Sequence, residues 1–188
     1  MGDTTRDRER TFRAVYEAVY PDLLRFTQRR TADAPHADDV VADTFLVVWR
    51  RLDALPRDDG AARAWVFGIA RNLLLNARRG EQRAHALEVR LADVRPIADP
   101  TADLAADAVV SAVDLARAWQ RLSAVHQEAL ALSTFEELTA PQAAAVLGIS
   151  PVAFRLRLSR ARRTLRIHLD HLPQPVTPAS ATAGRTTP

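Results

Sequence analysis

Residues 138–166 read LTAPQAAAVLGISPVAFRLRLSRARRTLR, and their local chemistry spells two helices around a tight corner. Thr139 followed three residues later by Gln142 fits a capping box, with Pro141 in the first turn, where a missing N–H costs nothing. Gly148 suits a left-handed C-terminal cap, so the first helix is about eight residues long. Ser150 is then an N-cap and Pro151 opens the second helix. Phe154, Leu158, Ala161 and Leu165 recur at steps of four and three and make one apolar stripe on it. Small residues at Ala143, Ala144 and Ala145 permit a close crossing, and Ile149 can plug the corner. The spacing predicts a helix-turn-helix.

Six arginines fall between 148 and 166 without one acidic residue. A solvated face normally mixes signs, so this one points to nucleic acid. In such a motif the second helix enters the major groove with its N-terminal residues towards base edges. Those positions are Pro151, Val152, Ala153, Arg155, Leu156 and Arg157. Arg155 and Arg157 suit guanine, and Leu156, off the apolar stripe, suits a thymine methyl. Arg160, Arg162, Arg163 and Arg166 lie further along and suit phosphates, which give affinity without sequence.

The remaining chain is consistent with an all-α protein. Its 47% hydrophobic content supports a core, and 6% aromatic content makes that core mostly Ala, Leu and Val. Six glycines, long 3.6-residue periodicity and no convincing alternation argue against strands. No cysteine is present, which removes disulfides and thiolate chemistry together. No apolar run approaches the ~20 residues of a membrane span, so no membrane partner is expected and a cytoplasmic location follows. All 26 basic residues are arginine. Only their placement is informative, since a G- and C-rich genome also favours arginine. From Ala86 to Asp114 the chain carries Glu88, Asp93, Asp99, Asp103, Asp107 and Asp114 against Arg90 and Arg95, interrupted by Pro96 and Pro100. This reads as a flexible acidic linker. Two small helical domains follow, 1–85 and 111–172, joined by 86–110, with the Pro/Thr/Ala-rich tail 173–188 disordered.

In the first domain Phe12, Val15, Tyr16, Val19, Leu23 and Phe26 form one stripe, which Pro21 is expected to kink or divide. A second helix between Pro35 and Pro56 buries Val41, Phe45, Val48, Trp49 and Leu52. Its other side presents Asp39, Asp43, Leu46 and Arg50, which is either a solvated face or a protein-docking face. A third, Arg63 to Arg79, aligns Trp65, Asn72 and Asn76 on one edge, with Arg71, Arg78 and Arg79 on neighbouring exposed positions. Such an edge can stack on and hydrogen-bond unpaired bases; equally, Trp65 is core and the asparagines are solvated.

Together these segments resemble a bacterial RNA polymerase sigma factor of the extracytoplasmic-function type. DDVVADTFLVVWRRLDALP resembles the family's core-polymerase-binding helix, ARAWVFGIARNLLLNARR its promoter-melting, minus-ten-reading helix, and residues 138–166 its minus-thirty-five-reading helix-turn-helix. The resemblance implies promoter-specific initiation with core RNA polymerase. Asp39, Asp43, Leu46 and Arg50 would dock on the clamp helices of the largest subunit. Trp65, Arg71, Asn72, Asn76 and Arg79 would open the duplex and hold the melted non-template strand. Pro151, Val152, Ala153, Arg155, Leu156, Arg157 and Arg160 would read the duplex minus-thirty-five element. An anti-sigma factor is a partner the family commonly has, on which no residue here bears. The chain departs from the family at Ala42, Val47, Asn76, Gln142 and the proline-free Leu122-Ser123-Ala124.

A dimeric helix-turn-helix regulator independent of polymerase is the alternative; it leaves the Trp65/Asn72 edge as coincidence. No enzyme is expected. There is no phosphate loop or nucleophile motif. His168 and His171 have helical metal-ligand spacing without a third ligand. No cofactor, metal or catalytic residue is therefore assigned.

Overall fold

The computed structural model describes residues 2–31, 33–78 and 112–170. The linker 86–110, Arg79 and the tail 173–188 lie outside them. Every regular element among the described residues is helical. The N-terminal half consists of α1 (Gly2–Gln28), α2 (Ala34–Arg50), a 3₁₀ turn (Leu52–Ala54) and α3 (Asp59–Arg78). The C-terminal half consists of α4 (112–120), α5 (Ala124–Thr134), α6 (Ala140–Leu147) and α7 (Pro151–Asp170).

Local side chains set the helix starts. Asp33 accepts the His36 N–H at 2.8 Å with Pro35 in the first turn of α2, and Asp58 accepts the Ala61 N–H at 2.7 Å at the start of α3. That second cap carries α3 one turn further N-terminal than the Arg63 start expected from the apolar pattern. In α1, Val19, Leu23 and Phe26 are buried against Val41, Phe45 and Val48 of α2 and Val66, Phe67 and Ala70 of α3. Phe26 and Phe67 stack at 4.9 Å between centroids.

Two expectations need correction. α1 runs undivided through Pro21. Pro21 is exposed, so the carbonyl it leaves unbonded faces water, and the buried residues on either side hold the helix together. Trp49, expected in the core, is 37% exposed. Its ring meets Phe12 edge-on at 5.2 Å at the margin of α2 rather than beneath it.

The two halves touch. One continuous core runs from α1, α2 and α3 into Ala129, Leu132, Leu138, Ala143, Ala144, Val146, Leu147 and Phe154. A smaller cluster of Trp119, Leu122, Leu130, Ala131 and Ala161 braces α4 and α5 against α7. Helix α6 lies across α3 beside Gly68, where a Cβ would rest in ordinary van der Waals contact with the Val146 Cα at 3.9 Å.

Candidate nucleic-acid interface

The corner between α6 and α7 is built as its residues dictate. The Gln142 side chain accepts the Thr139 N–H at 2.9 Å. Gly148 takes φ 65°, and its N–H returns to the carbonyls of Ala144 and Ala145. Ser150 Oγ accepts the Ala153 N–H at 3.2 Å. Ile149 packs on the core. Phe154 and Ala161 of α7 are fully buried, with Leu158 and Leu165 partly buried behind them.

The opposite face of α7 is bare. Pro151, Val152, Ala153, Arg155, Leu156 and Arg160 are exposed, and Arg157 is half-buried. Val152 and Leu156 are 57% and 55% exposed. Two aliphatic side chains with so much surface in water, at the N-terminal end of a basic helix, are what a groove floor lined with methyl groups would cover. Among the described residues, none of the α7 arginines forms an ion pair. Their charge is available to phosphates.

The α2 face is equally open. Asp39, Asp43, Leu46 and Arg50 are all exposed, Leu46 by 53%. The exposed parts of Tyr16 and Trp49 extend this surface towards α1, within an aromatic group completed by Phe12, Tyr20 and Phe45. The sequence pattern put Tyr16 in the apolar stripe of α1 and Trp49 on the buried side of α2; each falls on the edge of a stripe, where periodicity does not separate buried from rim positions.

The α3 edge differs from expectation. Asn72 and Asn76 are exposed and Trp65 is half-buried. Arg71 does not sit on the exposed face expected for it. Its Nε and Nη2 donate to the two carboxylate oxygens of Glu128, at 2.7 and 3.2 Å, and its side chain is 12% exposed. A bidentate guanidinium–carboxylate pair is among the stronger charge-assisted contacts, and the partner lies 57 residues away, beyond any local pattern. Trp65 and Asn72 line a cleft of about 620 Å³ closed on its far side by Thr139, Pro141 and Gln142 of the α6 N-terminus. Arg51 reaches over the Trp65 ring at 5.9 Å.

A second charged cluster lies at the other end of the junction. Glu136 accepts from Arg29 at 3.1 Å and from Arg30 at 3.2 Å, while Arg63 donates to the Glu136 carbonyl at 2.7 Å and to Asp22 at 2.8 Å. Burial lowers the Arg30 pKa below the ordinary arginine value, and Glu136 opposes that shift. Arginine remains charged regardless.

Two family models match the chain: sigma-70 region 2 over residues 15–84 and sigma-70 region 4 over residues 112–165. The chain is 31% identical to the ECF RNA polymerase sigma factor SigL of Mycobacterium tuberculosis over 160 residues, 85% of this chain and 89% of that one. The chain belongs to the ECF family of RNA polymerase sigma factors. The RNA polymerase sigma factor NccH of Alcaligenes xylosoxydans xylosoxydans is 35% identical over 68% of this chain and 70% of its own. Among solved structures, that of CnrH with the cytosolic domain of CnrY superimposes with a TM-score of 0.58 at 27% identity, covering 86% of this chain and 89% of that one. The Bartonella quintana sigma factor RpoE, solved with the anti-sigma factor NepR, shares the fold: TM-score 0.61 at 23% identity, covering 86% and 98%. The region 2 match thus takes in α1 from residue 15 together with α2 and α3 of this sigma factor, and the region 4 match takes in α4 to α6 and α7 as far as residue 165. Among the described residues no helix is long and apolar enough to cross a membrane.

Proposed function

We propose that this sigma factor docks on core RNA polymerase through α2, holds melted minus-ten DNA on α3 and reads the minus-thirty-five duplex with α7. The observation that carries the reading is the α7 face, where Val152, Arg155 and Leu156 stand exposed with no neutralising carboxylate among the described residues. The exposed Asp39, Asp43, Leu46 and Arg50 surface supports docking on the clamp helices of the largest subunit. Trp65 and Asn72 support capture of an extruded base, whose unstacking costs a few kcal/mol that ring stacking and edge hydrogen bonds offset. An anti-sigma protein is a further partner under this reading, and it would act by removing the chain from polymerase.

Co-elution of the purified chain with sigma-free core polymerase on a sizing column tests the reading. One-to-one co-elution, lost when Asp39 and Asp43 are both changed to arginine, is the expected result. A chain that elutes as a dimer, ignores core polymerase and still binds duplex DNA would instead be a polymerase-independent regulator.

A further inference from the structure

The two arginines that end α2 face different ways. Arg50 lies on the exposed side with Asp39, Asp43 and Leu46. Arg51 is one position on, so it cannot share that side, and it turns to α3. Its guanidinium carbon stands 5.9 Å from the centre of the Trp65 ring. With Trp65, Asn72 and Asp58 it lines the groove beside α3. We propose that Arg51 is a strand-binding residue: it takes the phosphate of the extruded nucleotide whose base stacks on Trp65. This rests on the strand-binding reading of α3 given above and adds the cation that reading lacks.

A ring and an amide alone do not make a nucleotide site. Each nucleotide brings a charged phosphate one sugar away from its base, and strand-binding proteins pair stacking rings with cations that follow the backbone. The arginines of α3 that carry contacts are already engaged. Arg71 is held by both Glu128 carboxylate oxygens and Arg63 by Asp22. Arg51 is exposed and forms no ion pair among the described residues. Among the described residues it is also the single arginine that lines the groove. The one carboxylate there, Asp58, is occupied at the start of α3, where it accepts the Ala61 N–H at 2.7 Å. The backbone of Arg51 is fixed on both sides. Its N–H bonds the carbonyls of Val47 and Val48 at 3.0 and 3.2 Å, and its own carbonyl accepts the Ala54 N–H at 2.9 Å. A side chain that springs from a fixed turn has less freedom to lose on binding. At 5.9 Å it lies at the outer limit of a cation–π contact, about 6 Å, near the ring without being committed to it.

The test uses the full chain bound to core polymerase, with core alone as the blank. The probe is a dye-labelled single-stranded 12-mer selected by the holoenzyme from a random pool, read by fluorescence anisotropy. Arg51→Ala should weaken binding about tenfold, as loss of one charge-assisted contact does. It should also flatten the dependence of log affinity on log salt by about 0.7, the share of one phosphate on a single strand. Trp65→Ala should weaken binding with the slope unchanged. Arg51→Lys should restore the slope. Arg57→Ala, at an exposed position outside this groove, should match the parent. Circular dichroism checks that each variant keeps its helix. Neutral methylphosphonates placed at each linkage in turn then locate the contact: at one linkage Arg51→Ala should cost nothing further. Parent-like affinity and slope in Arg51→Ala would overturn the proposal, as would a loss that adds to every methylphosphonate alike. A slope change that follows Arg71→Ala instead would return the role to Arg71. Either of those failures, with Trp65→Ala still weakening the strand, leaves the α3 reading in place. A phosphate coupled to Arg51 with no loss from Trp65→Ala would uphold the phosphate contact and sink the stacking reading of α3.

Discussion

Replacing Phe154 by alanine removes a ring that is 1% exposed and that ties α7 to the core shared by α3 and α6. Phe→Ala at a buried site costs about 3–5 kcal/mol, from lost transfer energy together with the cavity left behind. Domains of this size have about 5–15 kcal/mol in total, so the change removes roughly a fifth or more of the stability. At about 2–4 °C per kcal/mol the melting midpoint should fall by roughly 6–20 °C. Two residues on, Leu156→Ala removes a side chain that is 55% exposed, and the melting curve should move by no more than about 0.5 kcal/mol. Its effect should appear in DNA binding. In a selection from a random duplex library by polymerase holoenzyme, Leu156→Ala should lose preference at one A·T pair, because the thymine methyl it covers is the feature distinguishing that pair. Thermal melting by circular dichroism and the library selection together make the test. Comparable destabilisation by both substitutions would refute the assignment of these neighbouring positions to opposite sides of α7, and so would a Phe154→Ala chain that melts with the parent.

Three further outcomes follow from named contacts. Leu46→Asp, on the exposed side of α2, should weaken co-elution with core polymerase while leaving the melting midpoint within about 1–2 °C. Asn72→Ala should impair abortive transcription on duplex promoter templates more than on pre-melted ones, since its amide is assigned to the opened strand; equal loss on both templates would remove that assignment. Glu137→Gly should stabilise the chain by about 1 kcal/mol, because Glu137 occupies φ 51° with a Cβ that glycine lacks, and urea titration reads the shift.

Much of the helix-turn-helix was legible because its determinants act within four residues of one another. The Thr139–Gln142 box, the left-handed Gly148 and the Ser150 cap are each set by groups close in the chain, and backbone sterics leave few alternatives. The stripe of Phe154, Leu158, Ala161 and Leu165 follows from helical periodicity alone. What sequence reasoning missed depends on partners far away. Arg71 and Arg155 look alike locally, each an arginine on the polar side of an amphipathic helix. One meets Glu128, and the other meets water. Nothing within a helix turn of Arg71 signals that carboxylate. The only available hint was compositional: Glu128 is the one charged residue within α5 apart from its histidine, beside the apolar run Ala129–Leu132, and a buried charge is rare unless it is paired. Tyr16 and Trp49 failed for a different reason, since a stripe of apolar residues is wider than the surface its neighbours cover.

The distribution of carboxylates sets α7 apart from α3. From Arg155 to Arg166, α7 has no acidic residue, so under the proposed reading its charge would attract duplex DNA. The attraction is long-ranged and fades with salt. On α3, by contrast, Arg71 is neutralised by Glu128 and Arg63 by Asp22 of α1. A chain arranged in this way would meet duplex DNA first through α7, weakly and without sequence preference. The exposed α2 face carries none of these contacts between the halves, so under the docking proposed above polymerase could engage it without disturbing them.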